Sequence, residues 1–365
     1  LGGDNTFTGD LTVLSGSTTT LTGSADGDVT IAAGGELTLG SAERIADSSN
    51  LDVSGILNTN GEETVSSLTA TGTINGEGTV RALNTDLDGA TVNANLGTGA
   101  LTSDGDTDLN GNSAADTVTV AGGTLTLDGA LTNNTAAVTV ENGTLAANGT
   151  IAASSIDVQG GANITTGEAE RLSAGVALNA DGTVSLGGDE TIGDLSGSGI
   201  ITNNGNGLTV NQTSDTAFTG NITGAGGLTK QGEAGLTLTN GSDFTGDANI
   251  NAGTLTVSGL LATNTINVAN GATLNTTAAD LLSDGATLTN DGTLNIGGDQ
   301  TLTNLLGSDS GAVNIGSNTL QLTGGVDFQG RINGAQGSVN AGAGDIILGG
   351  DNTFTGDLTV LSGST

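Results

Sequence analysis

Apolar and polar positions alternate along this chain in short bursts. DTVTV at 116–120, AAVTV at 136–140 and SSIDV at 154–158 follow one another at spacings of 20 and 18 residues. GTLTL at 123–127, GTLAA at 143–147 and GANIT at 161–165 recur at the same two spacings. Each burst places an apolar residue at every second position, the period of a strand with one buried face. Gly, Asn and Asp fill the gaps between bursts, which is turn chemistry. Helical periodicity is not convincing anywhere.

Two short strands that return in one order, without hairpin reversal, predict parallel stacking. A unit of 18–20 residues is too short for a helical crossover, but it suits one coil of a β-solenoid in which each coil buries its apolar residues on the next. The predicted fold is all-β, a parallel β-helix of 18–20 residues per coil.

Longer repeats enclose the short ones. LGGDNTFTGDLTVLSGST occupies 1–18 and again 348–365, a displacement of 347 residues. DGTVSLGGDETIGDLSG (181–197) matches DGTLNIGGDQTLTNLLG (291–307) at an offset of 110. AER at 42–44 returns at 169–171, and EETVSSL (62–68) aligns with DETIGDL (189–195), both at an offset of 127. One offset of 127 and two of 110 together make 347. The expected organisation is a single continuous solenoid segment, 1–365, of a 347-residue tandem repeat. Its sub-repeats are roughly 34–160, 161–270 and 271–365, the last continuing as 1–33. The first carries 17 additional residues, predicting one added coil or a surface loop of similar size. At about 19 residues per coil and about 4.8 Å per coil, the long repeat predicts roughly 18 coils rising about 88 Å.

Composition fits such a stack. Gly is 65 of 365 residues; Pro, Cys, His, Met, Trp and Tyr are absent. Pro would delete ladder hydrogen bonds, and Gly supplies the positive-φ corners of each turn. Asn and Thr are expected to stack inside as ladders along the axis. Leu, Ile, Val and Phe number 85, four or five per coil, enough for a thin core. The net charge of −34 argues against nucleic acid and anionic membranes as partners, since both are held through Lys and Arg. Without Cys or His there is no disulfide, no thiolate and no imidazole base.

All five Phe share one setting: Phe7, Phe218, Phe244, Phe328 and Phe354 each stand two residues before a Gly. This predicts a ring covering the core at a corner. GGLTKQGEAGLTLTNGSDFTGDANINAGTLTVSG (226–259) resembles the autotransporter-associated β-strand repeat, with Gly227, Leu228, Thr229, Lys230, Gly232, Gly235, Leu236, Leu238, Phe244, Thr245, Gly246, Gly253, Thr254 and Leu255 filling its pattern. Phe244 stands where that family usually has Tyr, and Asp243 precedes it. DIILGGDNTFTGDLTV (345–360) repeats the second half without the Lys. The resemblance implies a right-handed parallel β-helix in the passenger of a secreted bacterial surface protein, often a large adhesin.

The candidate chemistry is sparse. DGDTDLNGNSAAD (104–116) offers Asp104, Asp106, Asp108, Asn110 and Asp116 as oxygen ligands for Ca²⁺. Asp106, Asp108, Asn110 and Gly111 match half of a calcium loop, but Thr117 stands where its bidentate Glu belongs. The competing reading is a solvated acidic turn. Glu43–Arg44 and Glu170–Arg171 occupy equivalent positions, with Asp280–Leu281 in the third copy, and read as surface ion pairs. A paired-carboxylate hydrolase and an ice- or glycan-binding face of Thr-x-Thr runs are weaker alternatives. The expected role is non-enzymatic: the shaft of an extracellular bacterial surface fibre or adhesin, or else a self-assembling filament or matrix protein. Expected partners are neighbouring copies of the repeat in the same chain and glycans or other surfaces, with no nucleic acid and no direct membrane contact. No cofactor is expected beyond the candidate Ca²⁺.

Overall fold

The computed structural model describes residues 6–363. The remaining ends of the duplicated 18-mer, and the side chain of Phe7, lie outside the described residues. The described chain is all-β, a parallel β-solenoid of about 19 residues per coil. It divides into two compact units, Leu1–Val176 and Ala177–Thr365.

In the first unit two ladders carry most of the pairing. One runs strand upon strand from Leu11–Val13 through Glu63–Ala70 and Thr79–Leu87 to Ser155–Val158. The other runs from Thr18–Leu21 through Thr107–Leu109 and Thr124–Leu127 to Asn163–Thr166. A third line is made of single parallel bridges: Leu96, Ser113, Leu131, Ile151 and Leu172 stack in turn. The second unit stacks Glu190–Ile192 through to Ile346–Leu348, Thr216–Phe218 through to Arg331–Asn333, and Gln300–Leu302 through to Leu358–Val360. The strand pairings of these ladders are parallel.

The alternation is the reason for the core. In Thr117–Val120 and Thr124–Leu127 the second and fourth residues are buried and the others face outward. Val118, Val138 and Ile156 therefore lie one above another inside the coil stack. Each such Leu, Ile or Val contributes about 1.5–3 kcal/mol relative to exposure. The interior is closely filled, the gap among Leu101, Leu109, Leu125 and Leu145 being about 10 Å³.

The 17 additional residues form a coil. In the first unit Leu68, Thr85, Leu101, Val118 and Val138 are successive neighbours, four steps. The equivalent stretch of the second unit ends at Ala248 and takes three steps, from Glu190 through Leu208 and Leu228. The added coils are short, at 16–17 residues, because Leu68, Thr85, Leu101 and Val118 pair at those intervals.

The Asn ladders exist but face outward, against the expectation of inward stacking. Asn75, Asn93 and Asn110 each donate a side-chain N–H to the Asn one coil back, Asn58, Asn75 and Asn93, at 3.2, 2.8 and 2.7 Å. Asn295, Asn314 and Asn333 do the same onto Asn275, Asn295 and Asn314 at 2.8, 2.6 and 2.9 Å. An amide chain needs a partner above and below but also a place for its spare N–H, which solvent supplies and a Leu-filled interior does not.

Candidate functional site

Carboxylates are the most abundant reactive groups of this chain, and the structure gives most of them a mechanical task. The Asp at a coil corner accepts a backbone N–H from the next coil. Asp10 accepts from Asp28 at 3.1 Å, Asp28 from Asn50 at 2.8 Å, and Asp106 from Thr124 at 2.9 Å. Asp189, Asp215, Asp291 and Asp299 accept from Gly207, Gly235, Ser308 and Thr319 at 2.6–2.7 Å. Corners are where the ladder stops and backbone N–H groups lose their partners, so an acceptor side chain from the neighbouring coil satisfies them. Hydrogen bonds to the ionised form hold Asp28, Asp181 and Asp291 below the usual carboxylate range, from Asn50, Ser198 and Ser308.

The candidate calcium ligands are distributed along this scheme. Asp104, Asp106, Asp108, Asn110 and Asp116 are all exposed. Asp106 binds the Thr124 N–H and Asn110 belongs to the amide ladder. Asp116 accepts from the Gly99 N–H at 3.2 Å and from Asn133 at 2.9 Å. Asp108 sits in the strand Thr107–Leu109, in register with Thr91 and Thr126. Among the described residues no three Asp or Glu side chains gather where they could share a metal ion.

The Glu–Arg pairs are built differently from the reading as ion pairs. Glu43, Glu170 and Asp280 all have left-handed backbone, with φ of 51°, 53° and 53°. Their equivalence is therefore conformational: each occupies the same corner. Arg44 sends its guanidinium to the carbonyls of Ala42 and Thr22 at 3.0 and 3.1 Å, while Glu43 accepts the Thr64 hydroxyl. Arg171 pairs with Glu168, and Arg81 with Glu62.

Sequence reasoning missed what lies beneath that corner. Glu63 is 1% exposed, and its two oxygens accept the backbone N–H groups of Arg44 and Ile45 at 2.9 and 2.6 Å. Burial pushes its carboxyl up to about 7, against the pull of those two donors. Glu190 and Gln300 occupy the equivalent positions and are equally buried. Gln300 accepts both Leu281 and Leu282 N–H at 3.1 Å and donates to the Ala278 carbonyl at 2.7 Å. The signal was present in EETVSSL, DETIGDL and DQTLTNL: a Glu, Glu, Gln series at one position is a series of acceptors for a corner.

Lys230 is the other buried charge. It is fully buried, and its Nζ donates to the carbonyls of Gln231, Gly232 and Ala252 at 2.7, 2.8 and 3.1 Å. Burial lowers its affinity for the proton. Three carbonyls use all three donors, so this Lys is a coil-to-coil clamp rather than an exposed base.

The aromatic motif reads as expected. Phe218, Phe244 and Phe328 are fully buried. A Cβ on Gly220 would come within 2.5 Å of the Phe218 ring, and one on Gly330 within 2.6 Å of the Phe328 ring. The Gly two places on is what lets the ring fold over the corner. The concavities that remain are open hollows, one of about 400 Å³ beside Arg81, Leu83 and Asp116 and one of about 340 Å³ beside Leu306, Asp327 and Ile347. The outward Thr rows are interrupted: Thr102, Thr119 and Thr139 are followed in register by Asp157.

The passenger-associated-transport-repeat family matches three stretches of the chain, residues 1–17, 228–257 and 340–364. No match was found among curated proteins or among solved structures.

Proposed function

Since the chain carries the repeats of autotransporter passengers on a parallel β-solenoid, we propose that it is the load-carrying shaft of a long bacterial surface fibre or adhesin. Passenger repeats imply a secreted or surface-exposed location. The shaft gives reach through copy number and stiffness through backbone ladders. It attaches by many weak contacts along its sides, so that avidity replaces a deep pocket. Neighbouring copies of the same repeat in one chain are its first partners, and glycans or other surfaces its external ones.

The single observation that carries this reading is the use of polar side chains. Corner carboxylates, the Asn ladders, Glu63, Gln300 and Lys230 all hydrogen-bond coil to coil. Groups that an enzyme would keep free for substrate are here engaged in holding the stack, and the reading is accordingly non-catalytic.

Imaging of the native cell surface tests it. Fibres labelled by antibody against this segment, with an axial repeat near 88 Å set by about 4.8 Å per coil, are the expected result. Label confined to a compact globular layer, or release of reducing sugar from a polysaccharide panel by the purified chain, would overturn it.

A further inference from the structure

The same eighteen residues occur twice, and the two copies use opposite edges. At 11–13 the strand pairs forward: Leu11, Thr12 and Val13 face Val29, Thr30 and Ile31. The Leu11 N–H reaches the Asp28 carbonyl at 2.8 Å, the Ala32 N–H reaches Val13 at 2.9 Å, and Asp10 accepts the Asp28 N–H. At 358–360 the identical strand pairs backward: Leu358, Thr359 and Val360 face Val339, Asn340 and Ala341. Its corner is fixed from below by Gly356 N–H to Gly337 at 2.9 Å and by Asp357 N–H to the Ser338 hydroxyl at 3.0 Å. Leu358–Val360 is the last strand of its ladder, and Leu11–Val13 the first of its own.

Burial follows the pairing. Val13 is 2% exposed under its forward coil, while the identical Val360 is 56% exposed. Leu358 is 50% exposed. Phe354 is only half-buried, whereas Phe218, Phe244 and Phe328 are completely covered. The sequence at 348–365 thus has a partner edge specified by its own duplicate, and in this structure that edge faces solvent.

We infer that residues 348–365 dock onto a second copy of this chain, taking the place of that copy's residues 1–18 against Val29–Ile31. The register is fixed by the duplicate: Leu358 opposite Val29, Thr359 opposite Thr30, Val360 opposite Ile31, with Asp357 accepting the Asp28 N–H of the second copy. No new complementarity is required, because the incoming strand is chemically identical to the one it replaces. Replacement is opposed by effective concentration alone, since residues 1–18 are tethered to their site and the second copy's strand is not. Weakening the resident copy therefore opens the site. This inference stands on the duplicated strand and its two pairings and is independent of the surface role.

Cross-linking of full-length chains tests it, and the absence of Cys makes the background clean. One chain carries Thr359→Cys; the other carries Thr30→Cys with Val13→Lys, which charges the buried side of the resident strand. A short dithiol-reactive linker is expected to join 359 to 30 at least tenfold more than in chains that keep Val13. Adding Val360→Lys to the first chain is expected to remove that product at least tenfold, and so is excess free 18-mer LGGDNTFTGDLTVLSGST. A product that ignores Val360→Lys and the peptide overturns the inference, as does no product while circular dichroism shows both chains folded. Should Val13→Lys unfold its chain, the chain with Thr30→Cys alone, at higher concentration, decides between the same two outcomes through the Val360→Lys and peptide controls.

Discussion

Two stretches of the molecule do the same task with different coil lengths. Between Leu68 and Val118 in the first unit the coils take 16–17 residues. Between Leu208 and Ile266 in the second they take 18–20. The long coils have Phe218, Phe244 and the stem of Lys230 in their interior. The short ones have Ala82, Thr85, Ser103 and Thr107, with no aromatic ring. A shorter perimeter encloses less cross-section, so its lumen admits only small side chains, while a longer one must be filled or leave a cavity. Coil length and aromatic content are therefore one variable. The short coils also show a cost: the Thr107 hydroxyl is buried with no hydrogen-bond partner.

The largest effect is expected from emptying a long coil. Phe328→Ala should cost about 3–5 kcal/mol, the usual loss for a buried aromatic ring, read as a lower urea midpoint. A loss under about 1 kcal/mol would mean that the lumen collapses and that perimeter does not set filling.

Next comes the corner carboxylate. The folded pKa of Glu63, about 7, lies above the ordinary glutamate value of 4.5, so the protonated form is favoured by folding. Its contribution is complete below about 4.5 and is lost as pH rises through 7. Glu63→Gln should leave stability unchanged at pH 4 and raise it above pH 7 by up to about 3 kcal/mol. The reciprocal Gln300→Glu should bring the same pH dependence into the second unit. Parallel melting-temperature profiles for wild type and both variants would refute the pairing of these two corners.

A smaller effect tests the short coils directly. Thr107→Val removes a buried, unpartnered hydroxyl at nearly constant volume and should stabilise by about 1 kcal/mol, seen as a raised thermal midpoint. Destabilisation would show that the hydroxyl has a partner in solution.

The corner Asp staples should act at the acid end. Asp28, Asp181 and Asp291 have folded values below 3.8. Their contribution is present above that value and lost as pH falls through the folded one. Asp291→Asn should therefore flatten the acid limb of the melting curve slightly and leave neutral pH alone. Combined with Glu63, these signs place the best stability between the two limbs, on the acidic side of neutral.

The smallest expected effect is that of calcium. With Asp106 and Asp116 engaged by backbone N–H groups, millimolar Ca²⁺ should leave the melting temperature of the chain in place. A rise of several degrees that Asp106→Asn and Asp108→Asn abolish would restore the calcium-loop reading.

Much of this molecule was legible in the chain alone. The period-two bursts located Thr117–Val120 and Thr124–Leu127, and the 18–20 residue return located their neighbours. The Phe-x-Gly motif announced the capped corners because ring and Gly are adjacent in the chain. Less visible was the fate of polar residues. Glu43–Arg44 looked like an ion pair because the two are adjacent in sequence, yet Arg44 finds backbone carbonyls one coil away and Glu43 marks a left-handed corner.

What the sequence determined by itself is the periodic part: strand positions, coil length, the added coil, and the identity of the two 18-residue stretches. These follow from local spacing, since alternation decides which side chains face in and repeat length decides which coils align. Only the tertiary structure decided which carboxylate is exposed and which is buried, that the Asn ladders run outside, and which edge of the duplicated strand is covered. Those outcomes depend on atoms 17–22 residues away along the chain and one coil away in space. Burial and hydrogen-bond partners belong to that second coil, and no single coil's sequence contains them.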